Sequence, residues 1–222
     1  MEGNSRWRIG RLTAAGAMAA LVLTACGGSG VLEINGCAIQ PGTVCPDADL
    51  AGSQIPGSDL STSDLAGAVL TESDLYRVNF SGSVLTGADF SGSDVSEAGF
   101  QLADLTGATM LATVARLSVF NSATFVDADL SGGDFVSADF YGANLSGATL
   151  ATADLRSAVF SEANLTGADL TGADLTGALL NEADLTGAKV DPGALDAVLL
   201  CATIMPDGSK NDTGCPPLPT AQ

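Results

Sequence analysis

The 222-residue sequence contains no histidine, its aromatic content is 5%, and its single tryptophan stands at position 7. Without imidazole, a Ser-His-Asp or Cys-His relay is excluded, and the commonest metal ligand is missing. Carboxylate chemistry and carboxylate metal sites stay open. The shortage of aromatic side chains excludes an ordinary globular core, where Phe, Tyr and Trp carry much of the burial. Basic residues are also few, 8 Lys and Arg against 26 Asp and Glu, for a formal net charge of −18. A hydrophobic content of 46% nevertheless argues against the disorder that such charge can bring. What dominates is Gly, Ala, Ser, Thr, Asp and Leu, a small-residue composition with one recurrent large apolar residue. That composition directs attention to internal repeats.

Every fifth residue from Leu50 to Val190 is Leu, Ile, Val, Phe or Met, except Ala115, over 29 positions. All eight Phe fall on this register: Phe80, Phe90, Phe100, Phe120, Phe125, Phe135, Phe140 and Phe160. Two residues before each central position the chain is small (Ala, Ser, Thr or Gly), with Val78 the exception. A period of five fits neither a helix at 3.6 nor a flat strand at 2. It predicts a chain that turns a corner every five residues, with the central and small residues inward. Ser, Thr, Asp, Asn and Gly suit the outward turns.

Runs such as Ala168-Asp169-Leu170-Thr171-Gly172 resemble the consensus of the pentapeptide-repeat family, A-(D/N)-L-x-x, over about two thirds of the chain. The resemblance implies an all-β fold, a right-handed quadrilateral β-helix with four pentapeptides per coil. The sequence supports a 20-residue coil independently. Phe80, Phe100, Phe120, Phe140 and Phe160 recur at 20 residues and would stack in one column. Val95, Ala115 and Phe135 would be successive on another side, the small residue making room for the large one. At the usual strand spacing of about 4.8 Å, about seven coils give a rod of roughly 35 Å.

The N-terminus carries Arg6, Arg8 and Arg11, then an apolar run from Leu12 to Ala25, the pattern of a signal peptide. Its end, Leu23-Thr24-Ala25-Cys26, resembles the bacterial lipobox, which implies cleavage before Cys26 and lipidation of that residue. Gly27 to Gly30 read as a flexible tether. Removal of residues 1–25 takes away Glu2 and three Arg, so the mature charge is 5 − 25 = −20. The expected organisation is a signal peptide at 1–25, tether and start of the cap at 26–36, and an N-terminal cap at 37–45. The β-helix follows at 46–190, then a C-terminal cap and tail at 191–222. The expected location is extracytoplasmic, anchored by lipid to the bacterial cell membrane or outer membrane without spanning it.

Both ends of such a rod must be covered against pairing with other chains. Cys37 and Cys45 precede the rod, Cys201 and Cys215 follow it, and export permits disulfides. A bridge needs Cα atoms within about 7 Å, which cysteines at opposite ends of the rod would not meet. The pairs expected are therefore Cys37–Cys45 and Cys201–Cys215. A short strand is expected at 31–34 before the Asn35-Gly36 turn, a short helix at 194–200, and a turn at 205–208.

On the outside, Asp precedes the central residue in 14 of the 29 repeats. Asp134, Asp154 and Asp174 would form one ladder, readable as a weak cation-binding face or as a solvated acidic surface that keeps a solenoid soluble. Leu111, Arg116 and Leu117 replace the usual polar outward residues, and Tyr76 and Arg156 lie on the Arg116 column. Exposed apolar and Arg side chains suit a protein-binding patch; the alternative is drift on a permissive surface. A convex rod offers no concave, water-excluding pocket, so no enzyme activity, cofactor or nucleic-acid binding is expected. The functional expectation is a non-enzymatic envelope lipoprotein acting as a structural or interaction scaffold for an unknown protein partner. End-to-end homodimerisation is open to such a rod. A DNA-mimic role, in which some acidic family members bind gyrase, is the alternative that the export signal disfavours, and a weak cation-binding surface protein is another.

Overall fold

The computed structural model describes residues 31–215. Cys26, the expected signal peptide at 1–25 and the tail from Pro216 lie outside them. A turn recurs every five residues from Pro41 to Gly187, and parallel bridges join residue i to i+20, from Val44–Asp64 to Asp184–Ile204. The chain thus returns to the same line every 20 residues: a parallel β-helix whose coils each have four short straight segments and four corners. Each coil is tied to its neighbours by backbone hydrogen bonds in both directions. Leu50 N–H donates to Val69 O (2.8 Å), and Val69 N–H donates back to Ala48 O (2.9 Å).

The corners explain the repeat's third feature, its small or polar outer residues. The second residue after each central one has a left-handed backbone, as at Gly87 (φ 65) and Gly107 (φ 64). Glycine takes that region without a steric penalty. The preceding Asp caps the same corner. Asp94 Oδ1 accepts Ser96 N–H at 2.9 Å, and Asp104 Oδ1 accepts Thr106 N–H at 3.0 Å. Asp is therefore frequent before the central residue because its carboxylate satisfies a turn N–H, the Asx arrangement.

The interior is filled by the central and small residues, nearly all buried. Phe80, Phe100, Phe120, Phe140 and Phe160 stack with centroids 4.8–4.9 Å apart, so the aromatic spacing and the strand spacing coincide. Phe90, Phe125 and Phe135 approach this column edge-on or tilted. Phe135 leans over Gly133, where a Cβ would overlap its ring. Space for that ring comes from Gly133 as well as from Ala115.

At the N-terminal end β1 (Glu33–Ile34) pairs antiparallel with β2 (Cys37–Ala38) around Asn35 (φ 50) and Gly36 (φ 81). Cys37 is buried and bonded to Cys45. Cys45 occupies the central position of the five-residue register, and Thr43 the small position before it, so this cap grows out of the repeat.

The C-terminal end differs from expectation. Residues 192–197 form successive turns, not a helix over 194–200. Leu195, Leu200 and Met205 continue the five-residue register over the last coil, and the backbone of Leu199 is committed to the coil before it, donating to Ala178 O (3.1 Å) and accepting from Leu180 N–H (3.0 Å). Bridging reaches Ile204, so the pairing does not stop at Val190. Strand β3 (Thr203–Ile204) then pairs with β4 (Lys210–Asn211) around residues 205–208, and Cys201 is bonded to Cys215.

Candidate interaction surface

Leu111 and Leu117 sit on consecutive corners of one coil, with Val114 on the straight segment between them. They are 41% and 58% exposed, so the structure brings the two leucines into one apolar band. Arg116, at the same corner as Leu117, donates from Nε to Asp134 at 2.6 Å. Tyr76 and Arg156 lie on the same column but two coils below and two coils above, each held by its own carboxylate. Tyr76 donates its hydroxyl to Glu97 (2.8 Å), beside the Arg77–Glu97 ion pair (2.6 Å), and the Arg77 guanidinium lies 4.9 Å over the Tyr76 ring. The Tyr76 hydrogen bond, then the Arg77 one, hold the Glu97 carboxyl below its usual range. The five candidate residues therefore form a leucine–arginine centre with two separate outliers, not one patch.

The acidic ladder exists as a ladder: Asp134, Asp154 and Asp174 bridge in succession. Guanidinium groups occupy its outer side. Arg116 pairs with Asp134 (2.6 Å), and Arg156 with Asp154 (2.6 Å) and Asp174 (3.8 Å). The Arg156 hydrogen bond lowers the Asp154 pKa against a smaller, opposing effect of burial. Among the described residues no group of three or more His, Cys, Asp or Glu could hold a metal ion.

Six exposed apolar or aromatic side chains were not singled out from the sequence: Val44, Val69, Val84, Leu102, Tyr141 and Leu199. Leu102 is 72% exposed, and Tyr141 is exposed with its hydroxyl on Glu162. Leu102 and Leu117 occupy the left-handed corner position that is glycine in 14 of the 28 repeats from Gly52 to Gly187, with φ 61 and 58. A leucine there carries a backbone cost of about 1–2 kcal/mol while burying little. The signal available was the register itself: both stand where Gly87 and Gly107 stand in neighbouring repeats.

Profiles for pentapeptide repeats match the sequence in eight copies spread between residues 45 and 191. The chain belongs to the pentapeptide-repeat family. Among solved structures, HetL, a pentapeptide-repeat protein involved in heterocyst differentiation regulation in the cyanobacterium Nostoc, is 28% identical. The match covers 77% of this chain and 90% of HetL, with a TM-score of 0.43. QnrB1, a plasmid-mediated fluoroquinolone resistance protein, is 21% identical over 65% of this chain and 81% of its own, with a TM-score of 0.39. A pentapeptide-repeat protein of the Arabidopsis thaliana thylakoid lumen is 35% identical over 49% of this chain and 66% of its own, at a TM-score of 0.22. No curated protein is significantly similar to the chain.

Proposed function

We propose that this pentapeptide-repeat protein is a non-enzymatic, lipid-anchored component of the bacterial envelope that serves as an interaction scaffold. Its body is read as a right-handed, four-sided rod of about seven coils, held at a membrane surface through Cys26 and the following tether. The observation that carries the scaffold reading is the exposure of Leu111 and Leu117 on consecutive corners of one coil, where most repeats hold small or polar residues. A rod gains nothing internally from apolar side chains in water, whereas a partner surface does.

Changing Leu111, Arg116 and Leu117 together to Ser tests this. Loss of a co-purifying partner, with the rod still folded by circular dichroism, supports the scaffold reading; unaltered partner recovery sinks it. Metabolic labelling with a fatty acid, compared with Cys26→Ala, tests the anchor separately. A soluble cytoplasmic product without label would instead favour the acidic DNA-mimic reading.

A further inference from the structure

The two disulfides stand in different surroundings. Cys37 is 2% exposed, and Cys45 sits within the five-residue register with its N–H bonded to Asp64 O at 2.8 Å. Cys215, by contrast, is exposed, and its partner Cys201 is half-buried. The two halves of this second bond also differ in what holds them. Cys201 belongs to the rod: its carbonyl oxygen accepts Glu182 N–H at 2.7 Å. Close by, Leu199 N–H donates to Ala178 O (3.1 Å) and the buried Thr203 hydroxyl to Leu180 O (2.6 Å). Cys215 ends the arm that carries β4. Apart from the disulfide, that arm is tied down by Gly214 N–H to Leu200 O (2.6 Å), by Ala202 N–H to Asp212 Oδ1 (3.1 Å), and by the β3–β4 pairing. It passes so near the rod that a Cβ on Gly214 would lie 2.9 Å from Leu200 O.

We propose that Cys201–Cys215 is a thiol–disulfide exchange site for small dithiols of low charge, whose opening releases the arm at 207–215 while the rod beneath stays closed. The thiolate of the dithiol attacks Sγ of Cys215, the accessible sulfur, and the bond to Cys201 breaks with Cys201 leaving as thiolate. The reagent's second thiolate then attacks the mixed disulfide, expels the Cys215 thiolate and departs as a cyclic disulfide. Two electrons pass from the dithiol to the cysteine pair, and the two protons lost by the dithiol reprotonate the cysteines. The N-terminal pair offers no such route. Attack on Cys37 is blocked by burial, and attack on Cys45 must expel a thiolate into the core, where burial makes it a poor leaving group. Charge selects the reagent. Asp212 Oδ1 lies 3.9 Å from Cys215 Sγ, and Lys210 Nζ, 3.5 Å from the same carboxylate oxygen, offsets it in part. The chain's net charge is −18. An acidic thiol such as glutathione meets this field more strongly than an otherwise uncharged one. Release of the arm is a local opening, because the bonds that hold Cys201 and Thr203 to the coil below do not involve it.

Timed reduction of the oxidised full-length protein by dithiothreitol without denaturant, with alkylation and mass mapping of the cysteines, tests the site. Cys201 and Cys215 are expected to label about tenfold faster than Cys37 and Cys45, or more. Glutathione is expected to form the mixed disulfide more slowly than mercaptoethanol at equal thiolate concentration. Asp212→Asn, which keeps an acceptor for Ala202 N–H, is expected to narrow that ratio. In the opened protein the Ala202 and Gly214 amides should exchange hydrogen faster, while those of Glu182 and Leu185 stay protected. The double variant Cys201→Ser, Cys215→Ser should show the same exchange pattern without any reagent. Equal or faster labelling of Cys37 and Cys45, resistance of both disulfides, or an unchanged thiol ratio in Asp212→Asn overturns the proposal. Loss of protection at Glu182 and Leu185 together with the arm, in the double variant, does so as well.

Discussion

The hydroxyl of Ser83 donates to the carbonyl oxygen of Leu60, 23 residues earlier, at 2.7 Å, and accepts the N–H of Ser63 at 3.2 Å. It stands between two groups that bond each other directly in the alanine repeats, as Ala123 N–H does to Phe120 O at 3.0 Å. The arrangement recurs at Ser73 and Ser93, while Thr113 and Ser118 reach the equivalent carbonyls, Phe90 O and Val95 O, at 2.9 and 2.6 Å. These buried hydroxyls act as cross-links between successive coils.

Ser83→Ala should therefore destabilise the rod by about 1 kcal/mol, the usual net worth of such a bond. A larger loss is not expected, because the alanine repeats show that the local N–H and carbonyl can close on each other. Urea denaturation of the variant measures this directly; an unchanged midpoint would mean the hydroxyl adds nothing.

Gly133→Ala should cost about 1–3 kcal/mol, the range for overpacking a dense interior. Gly133 lacks a left-handed backbone, so the penalty is mainly the overlap with the Phe135 ring, with a tight 3.2 Å approach to Leu130 O beside it. Adding Phe135→Leu should recover most of the loss, and failure of that rescue in thermal melts would assign the cost to some other contact.

Leu102→Gly should stabilise the isolated rod by roughly 1 kcal/mol. The substitution relieves a left-handed leucine whose side chain is largely in water, though glycine's freer unfolded chain offsets part of the gain. A lowered melting temperature would show that Leu102 makes a stabilising contact after all.

Acidification should weaken the fold within a defined window. Asp169 is held at about 2, against an ordinary 3.8, by the Thr171 side chain first, then by Lys189 and the Thr171 backbone N–H. Lys189 Nζ lies 2.9 Å from its carboxylate. A depressed carboxyl contributes stability that is fully present above its unfolded value and is lost as pH falls through its folded value. This contribution should therefore hold down to 3.8 and disappear on the way to about 2. Lys189→Ala should move the Asp169 titration upward, observable by carboxyl NMR; an unmoved midpoint would exclude the ion pair as a cause.

Much of the interior was legible in the sequence because the five-residue register places a large residue inward without interruption. The stacking of Phe80 through Phe160 followed from the 20-residue spacing alone. The function of the Asp residues was less accessible. In sequence they read as residues suited to turns and as surface charge, whereas the structure shows Asp94 and Asp104 each accepting one particular corner N–H, a local bond that periodicity does not display. At the C-terminal end, a Pro after Asp191 suggested a helix start, but the continuing register of Leu195, Leu200 and Met205 and the pairing of Leu199 with the coil before it outweigh local propensity there.

The pairing of i with i+20 also sets a rule for how the gene can change in length. Duplicating or deleting 20 residues leaves everything beyond the change in phase with everything before it. A change of five residues keeps every corner and every central position, yet rotates the distal part of the rod by one side. The Phe column would then be severed in mid-stack. Local sequence quality would be unaltered, so the damage would be invisible to any test that scores repeats one at a time. Natural length variants of such a rod should therefore differ by whole coils within the Phe80–Phe160 region and be freer to differ by single repeats outside it.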